Sequence, residues 1–411
     1  MIGPVHRVAP HLDIPIRQDD LRAHNLVLTF RQIVAAHDTP ISRSELATAT
    51  GLTRPTISRI VDDLLTAGLI VEAGPARSGS SGRPRVGLSL ARTGPAGLGL
   101  DIRADVLSAC VVDLTGAVRH LDFVPHTGTE PATVLPSLAA MADRAVQAAA
   151  AENLTVVGAT MAAPGPVQDD SIVRFAPMLG WRDVDAGAAL SAAISPGSAV
   201  LPVLVGNDAR LAALGEWHAA GQTMRNFVCV SGEFDIGAGL FLDGAQLSGW
   251  AGELGHVMVR SDGPSCACGA AGCLQCYAGL TAILAAATGR GREDGSSPAV
   301  AIDTLVSVGD PRILDTLDDA AVALGIAIAG LVNLVTVDTV LLGGSYSLLA
   351  SWLVDGIDRE LRRRVLSANW APIEVRPAPL GPDAAVIGAA LSAVNRVRED
   401  PNGWLARVRS R

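Results

Sequence analysis

Lysine is absent from the 411-residue sequence, so every basic side chain is an arginine. The 32 arginines are outnumbered by 41 acids, and a net charge of −9 argues against a general polyanion binder. No apolar run approaches the ~20 residues that span a bilayer, and the opening stretch MIGPVHRVAPHLDIPIR holds no apolar segment of signal-peptide type. No membrane partner is expected, and the default address is cytoplasmic. Charged residues are only 18% against 49% apolar, which excludes global disorder. Six cysteines are too few for a disulfide scaffold, and four of them crowd between Cys266 and Cys276. Clustered thiols in a reducing compartment suggest metal. The length exceeds what one core usually organises, so two or three folding units are expected.

Charge is uneven along the chain: residues 1–90 carry net +2 and residues 91–411 net −11. In the first part Leu26, Phe30, Ile33 and Val34 follow helical spacing. Ser42-Arg43-Ser44-Glu45 has the S-x-x-E form of a capping box and starts a second helix that stops at Gly51. Thr53 can cap a third, in which Ile57, Ile60, Val61, Leu64 and Leu65 form one apolar stripe and Pro55 falls harmlessly in the first turn. Two β-like stretches, Leu69 to Glu72 and Val86 to Leu90, flank a Gly/Ser loop with three arginines. Helix, helix-turn-helix and basic hairpin make a winged helix over 21–92, preceded by an arm over 1–20. Arg54, Thr56, Ser58 and Arg59 lie near the start of the third helix, the end that recognition helices present to base edges, with Arg83 and Arg85 in the wing. An ordinary three-helix bundle with a solvated loop is the alternative; the tight turn and the placement of arginine favour DNA.

After Gly94-Pro95 the pattern becomes α/β, with strands expected at Leu98 to Asp113, Leu154 to Met161, Val203 to Val205, Phe227 to Val230, Ile236 to Leu242 and Thr339 to Leu342. Helices are expected at Thr133 to Ala151, Leu317 to Val335 and Ala384 to Val397, giving two βα-type halves with a cleft over 93–411. The strongest local signal is His256 followed by Cys266, Cys268 and Cys273 in a Gly-rich loop. One imidazole and three thiolates supply the four ligands of a closed, structural zinc site, one per chain. Cys276 could substitute as a ligand, whereas Cys110 and Cys229 sit in apolar strands and read as core.

These residues, with Ala163-Pro164-Gly165-Pro166-Val167, Asn207-Asp208-Ala209, Gly237-Ala238-Gly239, Ala251-Gly252-Glu253-Leu254-Gly255-His256, CACGAAGCLQ and Gly343-Gly344-Ser345, resemble the ROK family of repressors, open reading frames and sugar kinases over Leu21 to Ala393. The resemblance implies a duplicated actin-like, ribonuclease-H-like ATPase fold with sugar in the cleft, and repressor members carry an N-terminal winged helix. It assigns Asn207, Asp208, Glu253 and His256 to sugar hydroxyls, with Gly165 and Gln275 in the same cleft, and in kinase relatives the residue matching Asp208 is the general base. Departures matter. Asp101-Ile102-Arg103-Ala104-Asp105 replaces a glycine-rich D-x-G-G-T phosphate loop, and Glu233-Phe234-Asp235-Ile236-Gly237 replaces G-T-G-I-G, adding acids where a triphosphate would lie. Gln275 and Met178 stand where glutamate and asparagine are usual. The expectation is a non-enzymatic, sugar-responsive repressor, a homodimer or homotetramer on a pseudo-palindromic operator, in which sugar shifts the angle between the halves. A sugar kinase using Asp208, or a ligand-independent regulator, are the alternatives.

Overall fold

The computed structural model describes residues 18–36, 39–75, 86–103, 105–126, 128–194, 201–232, 235–249, 252–289 and 298–410. Two compact units form, one from residues up to Arg92 together with Arg396–Arg411, the other from Thr93–Asn395.

The first unit is built from α1 (Gln18–Ala35), β1 (Ile41–Ser42), α2 (Arg43–Thr50), α3 (Arg54–Thr66), β2 (Ile70–Pro75) and β3 (Val86–Leu90). The capping box that starts α2 is complete: Glu45 N–H donates to Ser42 Oγ and Ser42 N–H to Glu45 Oε2 at 2.8 Å. Gly51 ends the helix in the left-handed region at φ 72°. Leu26, Phe30 and Ile33 of α1, Leu46 of α2 and Ile57, Ile60, Val61 and Leu64 of α3 are all buried. The hairpin pairs Ile70 with Leu90 and Glu72 with Leu88. A third strand, unanticipated from two residues of sequence, pairs Ile41 with Leu88 on the other edge of β3.

The second unit opens with β4 (Gly94–Ile102), β5 (Val106–Asp113), β6 (Val118–Pro125), α4 (Pro131–Ala151) and β7 (Leu154–Ala163). A small antiparallel sheet follows, β8 (Val167–Gln168), β9 (Ile172–Ala176) and β10 (Trp181–Asp185), then α5 (Ala186–Ala193) and β11 (Val203–Asn207). After α6 (Asp208–Ala219) come β12 (Phe227–Gly232), β13 (Ile236–Leu242), β14 (Ala245–Gln246), α7 (Gln275–Ala278), α8 (Leu280–Thr288), α9 (Pro298–Ser307) and α10 (Pro311–Val332). The unit closes with β15 (Thr339–Gly344), α11 (Ala350–Arg364), β16 (Glu374–Pro377) and the first part of α12 (Ala384–Glu399). The two large sheets run β6-β5-β4-β7-β11 and β14-β13-β12-β15-β16. In each, the first strand is antiparallel to the second and parallel to the fourth, so one topology occurs twice. This is the duplicated actin-like fold.

Helices α6 and α12 cross between the sheets at very short range. A Cβ on Gly388 of α12 would lie 1.8 Å from the Leu211 carbonyl of α6, and one on Gly239 of β13 would lie 2.3 Å from the Cβ of Ala213. At Gly388 main chain therefore packs on main chain, and Asp208 at the head of α6 lines a pocket with Asp101 of one half and Ser231 and Gly344 of the other.

The C-terminal residues correct the domain boundary read from sequence, which placed 396–411 with the second domain. Helix α13 (Asn402–Arg409) packs in the first unit, where the buried Trp404 donates its indole N–H to the Ala67 carbonyl at 2.8 Å. Arg409 pairs with Asp63 at 3.2 Å, and Leu405 is buried beside Trp404.

Candidate functional site

At the start of α3, Arg54, Ser58 and Arg59 are exposed and Thr56 is half-buried. Thr53 caps the helix, and its hydroxyl lies 2.9 Å from that of Thr56, so Thr56 takes part in the local cap as well as facing outward. A surface hollow next to these residues is lined by Ser42, Arg43, Ser44, Arg54, Ser58 and Val86. Arg43, passed over in the sequence, reaches this hollow while pairing with Glu72 at 3.3 Å and Asp62 at 3.6 Å. Arg83 and Arg85 lie outside the described residues.

In the second unit β11 delivers Asn207 and Asp208 to the head of α6, where Asn207 Oδ1 accepts the Arg210 N–H at 3.0 Å as a helix cap. Asn207 Nδ2 donates to the Gly165 carbonyl at 3.2 Å, so Gly165 holds Asn207 in place. Gly165 has φ 80°, and a Cβ there would lie 2.1 Å from the Phe175 carbonyl; only glycine fits. Asp208 accepts the Ala209 N–H at 2.7 Å. Burial pushes the Asp208 carboxyl well above the ordinary range, with Asp101, Glu253 and Asp235 pushing the same way and the Ala209 amide opposing. Glu253 is likewise raised, by burial and then by Asp235.

Burial raises the Asp235 carboxyl, and Asp235 in turn helps to raise Glu253 and Asp208. The segment following Asp235 packs on the Gly252–Gly255 turn, where Ala238 N–H donates to the Gly252 carbonyl at 2.7 Å. Gln275 directs its side-chain oxygen to the Ile236 N–H at 2.7 Å and thereby fixes the same turn. Met178 is exposed. Glu233, Phe234, Ala104 and Ala251 lie outside the described residues.

Deeper in the cleft a pocket is lined by Asp101, Ile102, Arg103, Asp208, Ser231, Gly344, Gly381 and Pro382, among others. Asp101 is 1% exposed, and burial raises its carboxyl to about 6 against the pull of Arg103. Sequence reasoning missed Glu216 altogether and the contacts that Arg103 makes. Arg103 crosses the pocket to Pro382, and the fully buried Glu216 of α6 accepts the Leu380 and Gly381 N–H groups at 3.1 and 3.0 Å. Their partners are 279 and about 165 residues away in sequence, where no spacing pattern could find them.

The ligand atoms of His256, Cys266, Cys268 and Cys273 all lie within 4.8 Å of one another. His256 Nδ1 is 3.7 Å from Cys266 Sγ, and Cys268 Sγ is 3.7 Å from Cys273 Sγ. The loop closes through Cys266 N–H on the Ala270 carbonyl and Gly272 N–H on the Pro264 carbonyl, both at 2.8 Å. Three sulfurs and one nitrogen converging at this range fit a tetrahedral metal ion. Cys276 stays out of the group and turns its thiol to the Ser265 carbonyl at 3.7 Å. Cys110 and Cys229 are buried in strands, as expected of core residues.

A winged helix joined to a duplicated actin-like fold, with a carboxylate-lined cleft beside a Cys3His loop, defines a regulator-type relative of the sugar kinases. Residues 97–396 match the model of the ROK family and residues 28–79 that of the MarR family. The chain belongs to the ROK family. It is similar to the xylose repressor of Bacillus subtilis (strain 168), 26% identical over 360 residues that cover 85% of this chain and 90% of the repressor. A ROK family transcriptional regulator, a homologue of the E. coli MLC protein, superposes with a TM-score of 0.75 at 28% identity, covering 94% of this chain and 98% of that one. A ROK family glucokinase from Streptomyces griseus, solved with glucose and AMPPNP, superposes with a TM-score of 0.62 at 29% identity and covers 73% of this chain and 99% of its own.

Proposed function

We propose that the chain is a sugar-responsive transcriptional repressor that binds operator DNA through the first unit and a sugar in the cleft of the second. The observation that carries this reading is the fusion of the two: an exposed Arg54, Ser58 and Arg59 at the head of a recognition helix, in the same chain as Asn207, Asp208, Glu253 and His256. Arg54 and Arg59, with Ser58 and Thr56, would read base edges in the major groove, and the hollow between Arg43, Ser44 and Arg54 would seat a backbone phosphate. Arg83 and Arg85 would enter an adjacent narrow minor groove. Arg59→Ala should relax base preference at one position and cost about 1–3 kcal/mol there; unchanged discrimination in a competition assay removes Arg59 from the reading set.

In the cleft, Asp208, Glu253 and Asp235 offer acceptors and Asn207 an amide to vicinal hydroxyls. The donor set of the Cys3His loop suits zinc, with His256 giving Nδ1 to the metal and keeping Nε2 for the cleft. Zinc would supply rigidity there, and the loop would hold Glu253 and His256 for the sugar. ATP use is disfavoured because Arg103 fills the space between Asp101 and Pro382, in place of a glycine whose amide could approach phosphate. A homodimer would place two such heads on the half-sites of a pseudo-palindrome.

The test is selection of a bound duplex from a randomised pool by the full chain, followed by titration of that duplex at fixed salt with a panel that starts with D-xylose, the sugar in the Bacillus relative's name. Expected is one enriched palindrome whose affinity changes with one sugar; no enrichment overturns the DNA reading, and no sugar effect overturns the response. The retained Asp208 favours one other reading, a sugar kinase. Steady ADP release with magnesium, abolished by Asp208→Asn, would make that reading primary.

A further inference from the structure

The sequence sets an arginine where the resembling kinases keep glycine, and the structure shows what that arginine does. Arg103 leaves the end of β4 with a side chain only 13% exposed. Its Nη1 donates to the Pro382 carbonyl at 3.2 Å and lies 3.8 Å from Asp383 Oδ1, while Nη2 donates to Ser108 Oγ at 3.2 Å. The guanidinium also stands 5.5 Å above the Phe123 ring. Planar, forked donors let one side chain hold β5 and the Pro382 turn together, a task the point charge of an ammonium performs poorly. Pro382 and Asp383 lead directly into α12, and Glu216 holds the preceding amides, Leu380 and Gly381, from α6. The head of α12 is thus fastened at two points inside the cleft. The helix itself continues past Asn395 into residues that group with the winged helix.

One contact in this assembly is incomplete. Asp101 Oδ2 and Arg103 Nε are both buried without a hydrogen-bond partner, and they face each other at 3.6 Å. A charge-assisted bond closes to about 2.8 Å, so a small displacement would complete or abandon it. Asp101 and Asp208 line the same pocket, and a hydroxyl bound at Asp208 changes the field that Asp101 feels.

We infer that Arg103 is a positioning residue that ties the floor of the cleft to the head of α12, and that a bound sugar reaches the DNA-binding unit by changing this tie. The second half of the inference rests on the sugar response proposed above; the tie itself does not. Occupancy at Asp208 alters the hold of Asp101 on Arg103, and Arg103 passes the change to Pro382 and Asp383 and so to the first turn of α12.

The experiment uses the full chain as wild type, Arg103→Ala, Arg103→Lys and Asp383→Ala, with D-xylose and the other panel sugars as probes and the selected duplex as DNA. Expected for Arg103→Ala is duplex affinity without sugar within about threefold of wild type, while the ratio of duplex Kd with and without saturating sugar falls to below about two. Arg103→Lys should restore part of that ratio, since it can reach one carbonyl but cannot form the fork. A ratio in Arg103→Ala equal to that of the wild type overturns the inference. Hydrogen exchange at residues 384–391 reads the tie without any sugar: at least ~10-fold faster exchange is expected in Arg103→Ala and a smaller increase in Asp383→Ala. Unchanged exchange overturns the tie even if a sugar response is found. Faster exchange in a protein whose wild type answers to no sugar keeps the tie and overturns its link to the response. If Arg103→Ala does not fold, Arg103→Lys and Asp383→Ala carry the same two readouts, and loss of neither ratio nor protection in both overturns the inference.

Discussion

Single residues give the sharpest tests. Cys268 belongs to the group of four ligands and Cys276 does not, although both were candidates from spacing. Purified protein should carry one zinc per chain by elemental analysis; Cys268→Ser should lose it and Cys276→Ser keep it, and the reverse result would redraw the site. Stripping the metal with a strong chelator should also weaken sugar binding, because Glu253 and His256 ride on the same loop. Glu216 tests electrostatics in the core. Burial raises its carboxyl from 4.5 to about 7, against the Leu380 and Gly381 amides and Arg376. A carboxyl with a higher value folded than unfolded binds more protons in the folded chain, so its contribution to stability is full at low pH and lost as pH rises toward 7. Wild-type Tm should therefore fall relative to Glu216→Gln between about pH 5 and 7, and parallel curves would show that the carboxylate is not strained by burial. Local chemistry such as the Cys/His loop was legible in the sequence because its ligands are close along the chain. Arg103 and Glu216 were not, since their roles depend on partners 279 and 165 residues away.

At the scale of elements, what could be read followed periodicity and caps. The box at Ser42 and Glu45, the stop at Gly51 and the apolar stripe of α3 each formed where their physics required. The strands β4, β5, β7, β12, β13 and β15 were equally plain, being continuous apolar runs buried on both faces. Among the elements missed were α6, α8, α9 and α11, together with β1 and the small sheet β8-β9-β10, too short or too polar for a pattern, and α13, whose core contribution is little more than Trp404 and Leu405. That last helix matters out of proportion to its length. Trp404→Ala should destabilise the first unit by about 3–5 kcal/mol, since it removes a buried indole and leaves the Ala67 carbonyl unpaired. Differential melting of the two units, followed by hydrogen exchange in α3 and in β12, checks this: only α3 should lose protection.

For the whole molecule, the proposed homodimer would fix geometry on DNA through a two-fold pair of winged helices. Half-sites one turn apart along a face of the duplex would be read together, and inserting about five base pairs between them turns one to the far side. Binding of the full chain to such a stretched site should fall to that of a single half-site in a gel-shift titration; undiminished binding would mean that the heads are not held by a common axis. The packing of Trp404 against Ala67 has a further consequence, for synthesis. The two residues are 337 apart in sequence, so the DNA-binding head leaves the ribosome long before the helix that completes it. A nascent chain paused after the cleft has emerged would carry a head missing one wall, and polypeptides cut short by early termination would occupy operators poorly. Competence to bind operator DNA would thereby wait for the translation of α13.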